Sequence, residues 1–378
     1  MTKKRKILFT SHTANFHKFN RPFMRMLRGT LEEPYSNLNI GGWQVDYASA
    51  NEEKIKDADK VFVVDFARSP LRLDKHVKAY KQLKKIIDEG NYDAIHTHTP
   101  VGSIVTRAAA KKARKKGTKV IYTCHGFHFY DGAPKKNWRI YYPIEKSMAK
   151  KTDMLVTINR EDYYRAQKEF ACPVRMIDGA GVDKTRFKKA KMAEKREARE
   201  KYGIDAKDFV IVYIAEFTAN KNQRMIVEAA APLLRQNEHL KLLFLGEGEM
   251  MSEVRELAQR LGVSGQVLMP GYIRENFAAL VQSCNLYISA SQREGLGLGV
   301  LEGVLCGLPI LVADNRGHRD IVDDNKKYLF ALGDINGLTR KLRDAVKNPE
   351  KYHLDFPERY SLKNSLSEMR EIYKEVLG

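Results

Sequence analysis

Short apolar runs alternate with longer amphipathic ones along most of the chain, and this rhythm predicts its elements. In the first half, Lys6–Thr10, Gln44–Ala48, Lys60–Phe66, Ala94–His98, Lys119–Thr123, Met154–Ile158 and Arg175–Ile177 are rich in β-branched and aromatic residues and read as strands. Lys75–Glu89 and Ser103–Lys116 carry a helical period. In the first of them Val77, Tyr80, Leu83 and Ile87 share one face, the predicted core face. Gly90 and Gly117 stand where helix C-caps are expected. Strands and helices alternating at this spacing predict βαβ units and a parallel sheet.

The second half repeats the scheme. Its predicted strands are Phe209–Ile214, Lys241–Leu245, Val267–Met269, Leu286–Ser289 and Pro309–Ala313, separated by helices such as Asn222–Arg235 and Ser252–Leu261. The break between the halves falls near Gly179-Ala180-Gly181-Val182-Asp183, before the polar stretch Lys184–Glu200. The fold class is therefore α/β, with two Rossmann-like doubly wound domains over 1–182 and 183–360. They are expected to face each other across a cleft at the C-terminal strand ends, where such sheets bind ligands. The amphipathic segment 361–378 is a candidate to cross back onto the first domain.

Composition narrows the class. Hydrophobic residues make up 43 % of the 378 positions and aromatics 10 %, enough for real cores and too much for wholesale disorder. The net charge is +19, which says nothing of fold but points to an acidic partner: nucleic acid, an anionic membrane surface or an acidic ligand. Through Lys184 there are 36 Lys and Arg against 20 Asp and Glu, a net +16, leaving +3 for the remainder. The first apolar run, Ile7–Phe9, is too short for a secretory signal, and no run approaches the ~20 residues of a membrane span. Cys124, Cys172, Cys284 and Cys306 are widely spaced and read as reduced thiols.

The sharpest local pattern is Arg293-Glu294-Gly295-Leu296-Gly297-Leu298-Gly299-Val300-Leu301-Glu302, between a strand and an apolar helix. Its three glycines let a backbone approach a ligand, and the helix start offers unpaired N–H groups to a phosphate. The carboxylates of Glu294 and Glu302 suit sugar hydroxyls. On spacing alone, a flexible turn with two solvated glutamates reads equally well. His96, His98, His125 and His128 stand at strand ends in H-x-H and H-x-x-H spacing, which suits zinc, a sugar or acceptor site, or structural histidines. Asp57-Ala58-Asp59 precedes a strand and reads as a solvated turn rather than a metal-holding D-x-D. Lys221 alone is a surface lysine. Arg316-Gly317-His318-Arg319-Asp320 lines a site or holds a turn. Lys75, Lys78, Lys81 and Lys85 recur on one helical face, and Arg21, Arg25 and Arg28 form a row beside Phe16, Phe19, Phe23, Met24 and Met26. Basic faces flanked by aromatics suit an anionic leaflet, and equally a solvated surface.

The Glu-x7-Glu run resembles the signature of the retaining family-4 glycosyltransferases, which have the two-domain GT-B fold. Phe217-Thr218-Ala219-Asn220-Lys221-Asn222 resembles the family's turn with its phosphate-binding lysine, and Leu245-Gly246-Glu247-Gly248 and Pro270-Gly271-Tyr272 its nucleotide-domain turns. His96-Thr97-His98-Thr99-Pro100, Cys124-His125-Gly126-Phe127-His128-Phe129-Tyr130 and Gly132-Ala133-Pro134 resemble the branch that builds bacterial capsular and exopolysaccharides. The resemblance implies roles. Glu294 would hold donor-sugar hydroxyls and Glu302 the ribose. Gly295, Leu296, Gly297 and Leu298 would meet the diphosphate or sugar, and Lys221 would neutralise the departing diphosphate. Tyr272 and Ile273 would read the base edge, and His125 would reach the donor sugar from the other domain. His12, His17, His98 and His128 are acceptor-side candidates. Two departures stand out: Glu216 occupies the place of a usual arginine, with Arg224 the candidate replacement, and the loop Ser11–His17 lacks the common Gly-Gly pair.

The resulting expectation is a metal-independent, retaining enzyme with no cofactor, moving a sugar from a UDP-sugar to a polyprenyl-diphosphate-linked glycan. It would work in the cytoplasm, peripheral on the inner face of a bacterial membrane. The same fold with a soluble acceptor, a metal-dependent hydrolase built on the histidines and a nucleic-acid binder are the alternatives. No nucleic-acid-reading module is present to favour the last.

Overall fold

The computed structural model describes residues 4–51, 55–67, 72–187 and 189–378. The chain divides into two compact units, Met1–Gly181 with Leu362–Gly378, and Val182–Ser361.

In the first unit the strands are β1 (Lys6–Thr10), β2 (Gln44–Ser49), β3 (Lys60–Val63), β4 (Ala94–His98), β5 (Lys119–Cys124), β6 (Met154–Thr157) and β7 (Val174–Met176). The helices are α1 (His17–Arg28), α2 (Leu73–Gly90), α3 (Pro100–Ala109), α4 (Lys111–Arg114), α5 (Lys135–Ala149) and α6 (Arg160–Glu169). All sheet pairings are parallel, in the order β3-β2-β1-β4-β5-β6-β7. The central strands β4 and β5 are buried almost throughout, as helices on both faces of a parallel sheet require.

The second unit holds α7 (Met192–Lys201), β8 (Phe209–Ile214), α8 (Gln223–Gln236), β9 (Leu240–Leu245), α9 (Met251–Arg260), β10 (Val267–Gly271) and α10 (Phe277–Gln282). After these come β11 (Leu286–Ser289), α11 (Leu298–Leu305), β12 (Ile310–Ala313), α12 (Arg316–Ile321), β13 (Leu329–Phe330) and α13 (Ile335–Lys347). The sheet order β10-β9-β8-β11-β12-β13 is that of a doubly wound dinucleotide-binding fold. Strand order reverses between β1 and β4 in the first unit and between β8 and β11 in the second. Loops leaving such a pair diverge and leave a crevice at their C-terminal ends, which is where both groups of candidate residues sit.

The last helix, α14 (Leu362–Leu377), belongs to the first unit. Its Tyr373 hydroxyl meets His96 Nδ1 at 2.8 Å, and Glu375 pairs with Arg175 at 2.9 Å. The chain leaves the first unit at Gly181 (φ +75°), where a Cβ would stand 2.6 Å from Leu362 Cα.

Several expectations need correction. The buried face of α2 is Ala79, Leu83 and Ile87, while Val77 is 55 % and Tyr80 38 % exposed. Ala79, Leu83 and Ile87 pack in one core cluster with Leu8 of β1 and Ile95 of β4. Gly90 ends α2 inside the helix, and Asn91, at φ +49°, takes the left-handed cap. The arginine row on α1 is not a free basic face. Arg28 pairs with Asp59 (2.6 Å), Arg21 with Asp57 and Arg25 with Glu32 (2.7 Å), so the Asp57–Asp59 turn is its counter-charge. The four cysteines are free thiols.

Candidate active site

Lys221 lies in the loop leaving β8 and Glu294 in the loop leaving β11. Backbone and side-chain bonds sew the two loops together. Gln292 donates its backbone N–H to Asn220 O (2.8 Å) and its Nε2 to Ala219 O (3.1 Å), and Asn220 Nδ2 donates to Arg293 O (3.0 Å). Tyr213, from β8, adds a buried clamp: its hydroxyl donates to Lys221 O (3.0 Å) and shares a hydrogen bond with Ser291 Oγ (2.8 Å). Held this way, Lys221 Nζ pairs with Glu294 Oε1, at side-chain exposures of 28 % and 16 %. Burial pushes the Glu294 carboxyl up. The Lys221 ammonium and then the His318 imidazole outweigh it, so the net shift is downward and Glu294 is a carboxylate.

Glu294 is followed by Gly295, buried Leu296, and Gly297, which caps α11 at φ +108°. A Cβ on Gly297 would lie 3.1 Å from the His318 ring. The third glycine of the motif has another purpose than the sequence assigned it. Gly299, with Gly303 one turn on, packs on Tyr287: a Cβ at either position would come within 2.7 Å of that side chain. Close helix–strand packing, not ligand approach, is what Gly299 provides. Leu298 opens α11, and Glu302 stands just over one turn in, its carboxyl raised by burial against a smaller opposing pull from Arg186. Unpaired N–H groups, a positive helix end and the Lys221 ammonium therefore lie beside two carboxylates, a combination suited to a phosphate-bearing sugar.

Tyr272 is 63 % exposed and stacks with Arg274, whose guanidinium is 5.8 Å from the ring centre. Its backbone N–H donates to Glu247 Oε1 (3.3 Å), and Ile273 beside it is half-buried. A base edge at Tyr272 would share that N–H with Glu247. Arg224 does not replace the missing arginine. It stands on the exposed side of α8, bonded to Glu228 (2.9 Å) and Glu253 (3.4 Å). Glu216 is exposed, and a second cation beside Lys221 at the Glu294 loop is Arg316, whose Nε donates to Glu294 O (3.3 Å).

The histidines of the first unit lie at its own strand reversal and split into groups. His96 bridges Tyr373 Oη and Thr123 Oγ1, both at 2.8 Å. His98 Nδ1 meets His125 Nε2 at 3.1 Å, and the Phe16 ring packs edge-on against His125 with centroids 4.5 Å apart. His12 is held near them by its backbone N–H to Thr99 Oγ1 (3.3 Å). His128 stacks on Tyr141 instead (4.3 Å), and His17 bonds Ala14 O (2.8 Å) at the start of α1. Thus His98 and His125 come together, His12 is tied through its backbone to Thr99 beside them, and His17 and His128 make the separate contacts just given. Both ring nitrogens of His96 are occupied, so the zinc reading loses its ligand set. Burial pulls His96 and His125 down to about 3 and His98 well below its ordinary value, leaving neutral rings.

Comparison with known proteins agrees with this geometry. The family model described as glycosyl transferases group 1 matches residues 194–357, and that described as glycosyl transferase 4-like matches 6–159. The chain is 39 % identical to the putative glycosyltransferase EpsD of Bacillus subtilis (strain 168), over 99 % of this chain and 97 % of that protein. This chain is a family-4 glycosyltransferase. It is also 28 % identical to the UDP-Gal:alpha-D-GlcNAc-diphosphoundecaprenol alpha-1,3-galactosyltransferase of Escherichia coli, over 78 % of each protein. The fold matches Anabaena HepE, solved in complex with UDP and glucose, with a TM-score of 0.76 at 16 % identity, over 98 % of this chain and 100 % of that one. Its two Rossmann-like units are those of a GT-B glycosyltransferase.

Sequence reasoning missed Tyr213 and Asn315 of this enzyme's second unit, and left His318 within a run read as lining a site or holding a turn. Tyr213 reads as an ordinary strand aromatic until its hydroxyl is seen. His318 is fully buried, with Nδ1 at 2.8 Å from Ala313 O and Nε2 at 3.3 Å from Ser289 Oγ, and burial pulls it down to about 4. Asn315 caps α12 through His318 N (3.0 Å) and reaches Ser291 O (2.8 Å). An Asn three residues before a His at a helix start was the available signal.

Proposed function

We propose that this glycosyltransferase moves a hexosyl group from a UDP-sugar to a glycan carried on polyprenyl diphosphate, with retention at the anomeric carbon. The observation that carries the reading is the Lys221–Glu294 pair at the start of α11. In the donor complex Lys221 changes partner, from the Glu294 carboxylate to the diphosphate. Glu294 is released to accept sugar hydroxyls, Glu302 takes the ribose, and the N–H groups of Leu296 to Leu298 meet the phosphates. The bond from the anomeric carbon to the phosphate oxygen breaks as Lys221 and the helix end stabilise the charge that develops there. The acceptor hydroxyl attacks on the same face and passes its proton to the departing phosphate. Lysine and helix dipole supply the positive field, so neither a protein base nor a metal is required.

The E. coli relative's printed activity, on a lipid diphosphate, supports the acceptor class. No helix among the described residues is long and apolar enough to cross a membrane. The membrane-facing candidate is the outer side of α2, where Lys75, Lys78, Lys81 and Lys85 surround exposed Val77 and Tyr80. Each cation near an anionic leaflet contributes about 1 kcal/mol. A peripheral position on the cytoplasmic leaflet follows from this reading. The test is a panel of UDP-sugars by thermal shift, then UDP release with lipid-linked acceptors, with and without chelator. One UDP-sugar should raise Tm and turn over undiminished in chelator. No UDP-sugar shifting Tm, or activity lost to chelation, overturns the reading.

A further inference from the structure

His98 is 1 % exposed and its Nε2 has no hydrogen-bond partner, while its Nδ1 shares one bond with His125 Nε2 at 3.1 Å. Burial holds both rings neutral, with the His96 and His125 imidazoles adding to it at His98, so each carries one N–H and one lone pair. Two arrangements satisfy the shared bond. If His98 carried its proton on Nε2, a buried N–H would face no acceptor. The rings around it do not supply one. Two phenyl rings lie near, Phe9 nearly parallel to His98 (8°, centroids 5.9 Å) and Phe16 tilted to it (38°, centroids 6.0 Å), and a ring face is at best a weak acceptor. With the proton on Nδ1, the orphan is only a lone pair, and buried unsatisfied N–H groups are the rarer of the two.

We propose that His98 sets the tautomer of His125: His98 Nδ1–H donates to His125 Nε2, and His125 therefore presents Nδ1–H to its ligand as a hydrogen-bond donor. His98 is then a positioning residue. It packs in one cluster with the Phe9 and His96 rings, the latter 4.2 Å away and fixed by Tyr373 of α14 and Thr123 of β5. Phe16 against His125 completes the support. A donor at this position suits a sugar hydroxyl oxygen and cannot remove a proton from an acceptor. The use of that donor rests on the glycosyl-transfer reading; the tautomer itself does not.

The experiment is long-range 1H–15N correlation of the imidazoles in the unliganded full chain, with His125→Gln and His98→Asn spectra for assignment. Wild-type His98 and His125 should both show the Nδ1–H pattern, unchanged between about pH 6 and 8. His98→Asn keeps an N–H where Nδ1–H was and should keep the His125 pattern, whereas His98→Leu should shift it toward Nε2–H. In turnover, His98→Leu should lose about tenfold in kcat with little change in donor KM, and His98→Asn should recover most of it. An Nε2–H pattern for His125 in the wild type, or an identical His125 pattern in the Asn and Leu variants, overturns the proposal. Should His98→Leu fail to fold, the wild-type spectrum decides alone. Failure of the functional reading is separable: no UDP-sugar would bind, yet the tautomer would stand.

Discussion

Tyr213 shows how one hydroxyl positions a site it does not enter. It ties the half-buried Lys221 loop to the fully buried Ser291. Removing the hydroxyl in Tyr213→Phe should cost about 1 kcal/mol of stability and lower kcat/KM by roughly three- to tenfold. Denaturant unfolding and steady-state kinetics check the two numbers separately. Gly297 is a sharper case. At φ +108° an L side chain is strained, and a Cβ would press on the His318 ring 3.1 Å away. Gly297→Ala should cost about 1–3 kcal/mol and displace the helix start, weakening donor binding more than it lowers Tm alone would suggest. Titration calorimetry with UDP against the thermal midpoint reads both effects.

At the scale of elements, periodicity and turn residues made the parallel sheets legible, with Lys221 and Glu294 at strand-to-helix turns and Glu302 in the helix that follows. What was not legible depended on packing partners. The stripe Val77, Tyr80, Leu83, Ile87 fits a helix as well as the observed Ala79, Leu83, Ile87, and only the sheet beneath chooses between them. The arginine row of α1 looked like a leaflet-facing surface because Asp57 and Asp59 are distant in sequence and adjacent in space. The two-residue strand β13 is too short to carry a period. The exposed face of α2 remains basic, although Lys78 and Lys85 share charge with Asp65 (3.0 Å) and Glu89 (4.0 Å). Exposed pairs of this kind are weak and leave the face free to exchange partners. Lys75→Glu with Lys81→Glu should abolish flotation on anionic vesicles at low salt and leave UDP affinity unchanged; vesicle binding that survives both changes excludes α2 as the docking face.

Over the whole molecule, buried titrating groups set the pH dependence of stability. His96 and His125 are pulled down to about 3 and His318 to about 4, each from an ordinary value of 6.5, and His98 falls well below it. Below about pH 6.5 the unfolded chain takes up protons that the folded chain refuses, so this stability is present above 6.5 and is lost as pH falls toward the folded values. Glu368 of α14 acts in the opposite sense. Burial raises its carboxyl to about 7 even as it accepts the Asp178 N–H (3.1 Å), so its contribution is present below 4.5 and is lost as pH rises through 7. Denaturant midpoints should therefore rise from pH 5 to 6.5, by about 1.4 kcal/mol per pH unit for each net proton. Glu368→Gln should remove an opposing loss that runs from about pH 4.5 to 7, and so steepen the rise by about one proton's slope. The central claim, that Lys221 and Glu294 together hold and discharge a nucleotide sugar, is tested most directly by kcat/KM of the wild type, Lys221→Met, Glu294→Gln and the double variant with the UDP-sugar the panel identifies. Losses of about a hundredfold or more in each single variant, with a double variant little worse than either, are the predicted result; losses under about tenfold in both singles would contradict it.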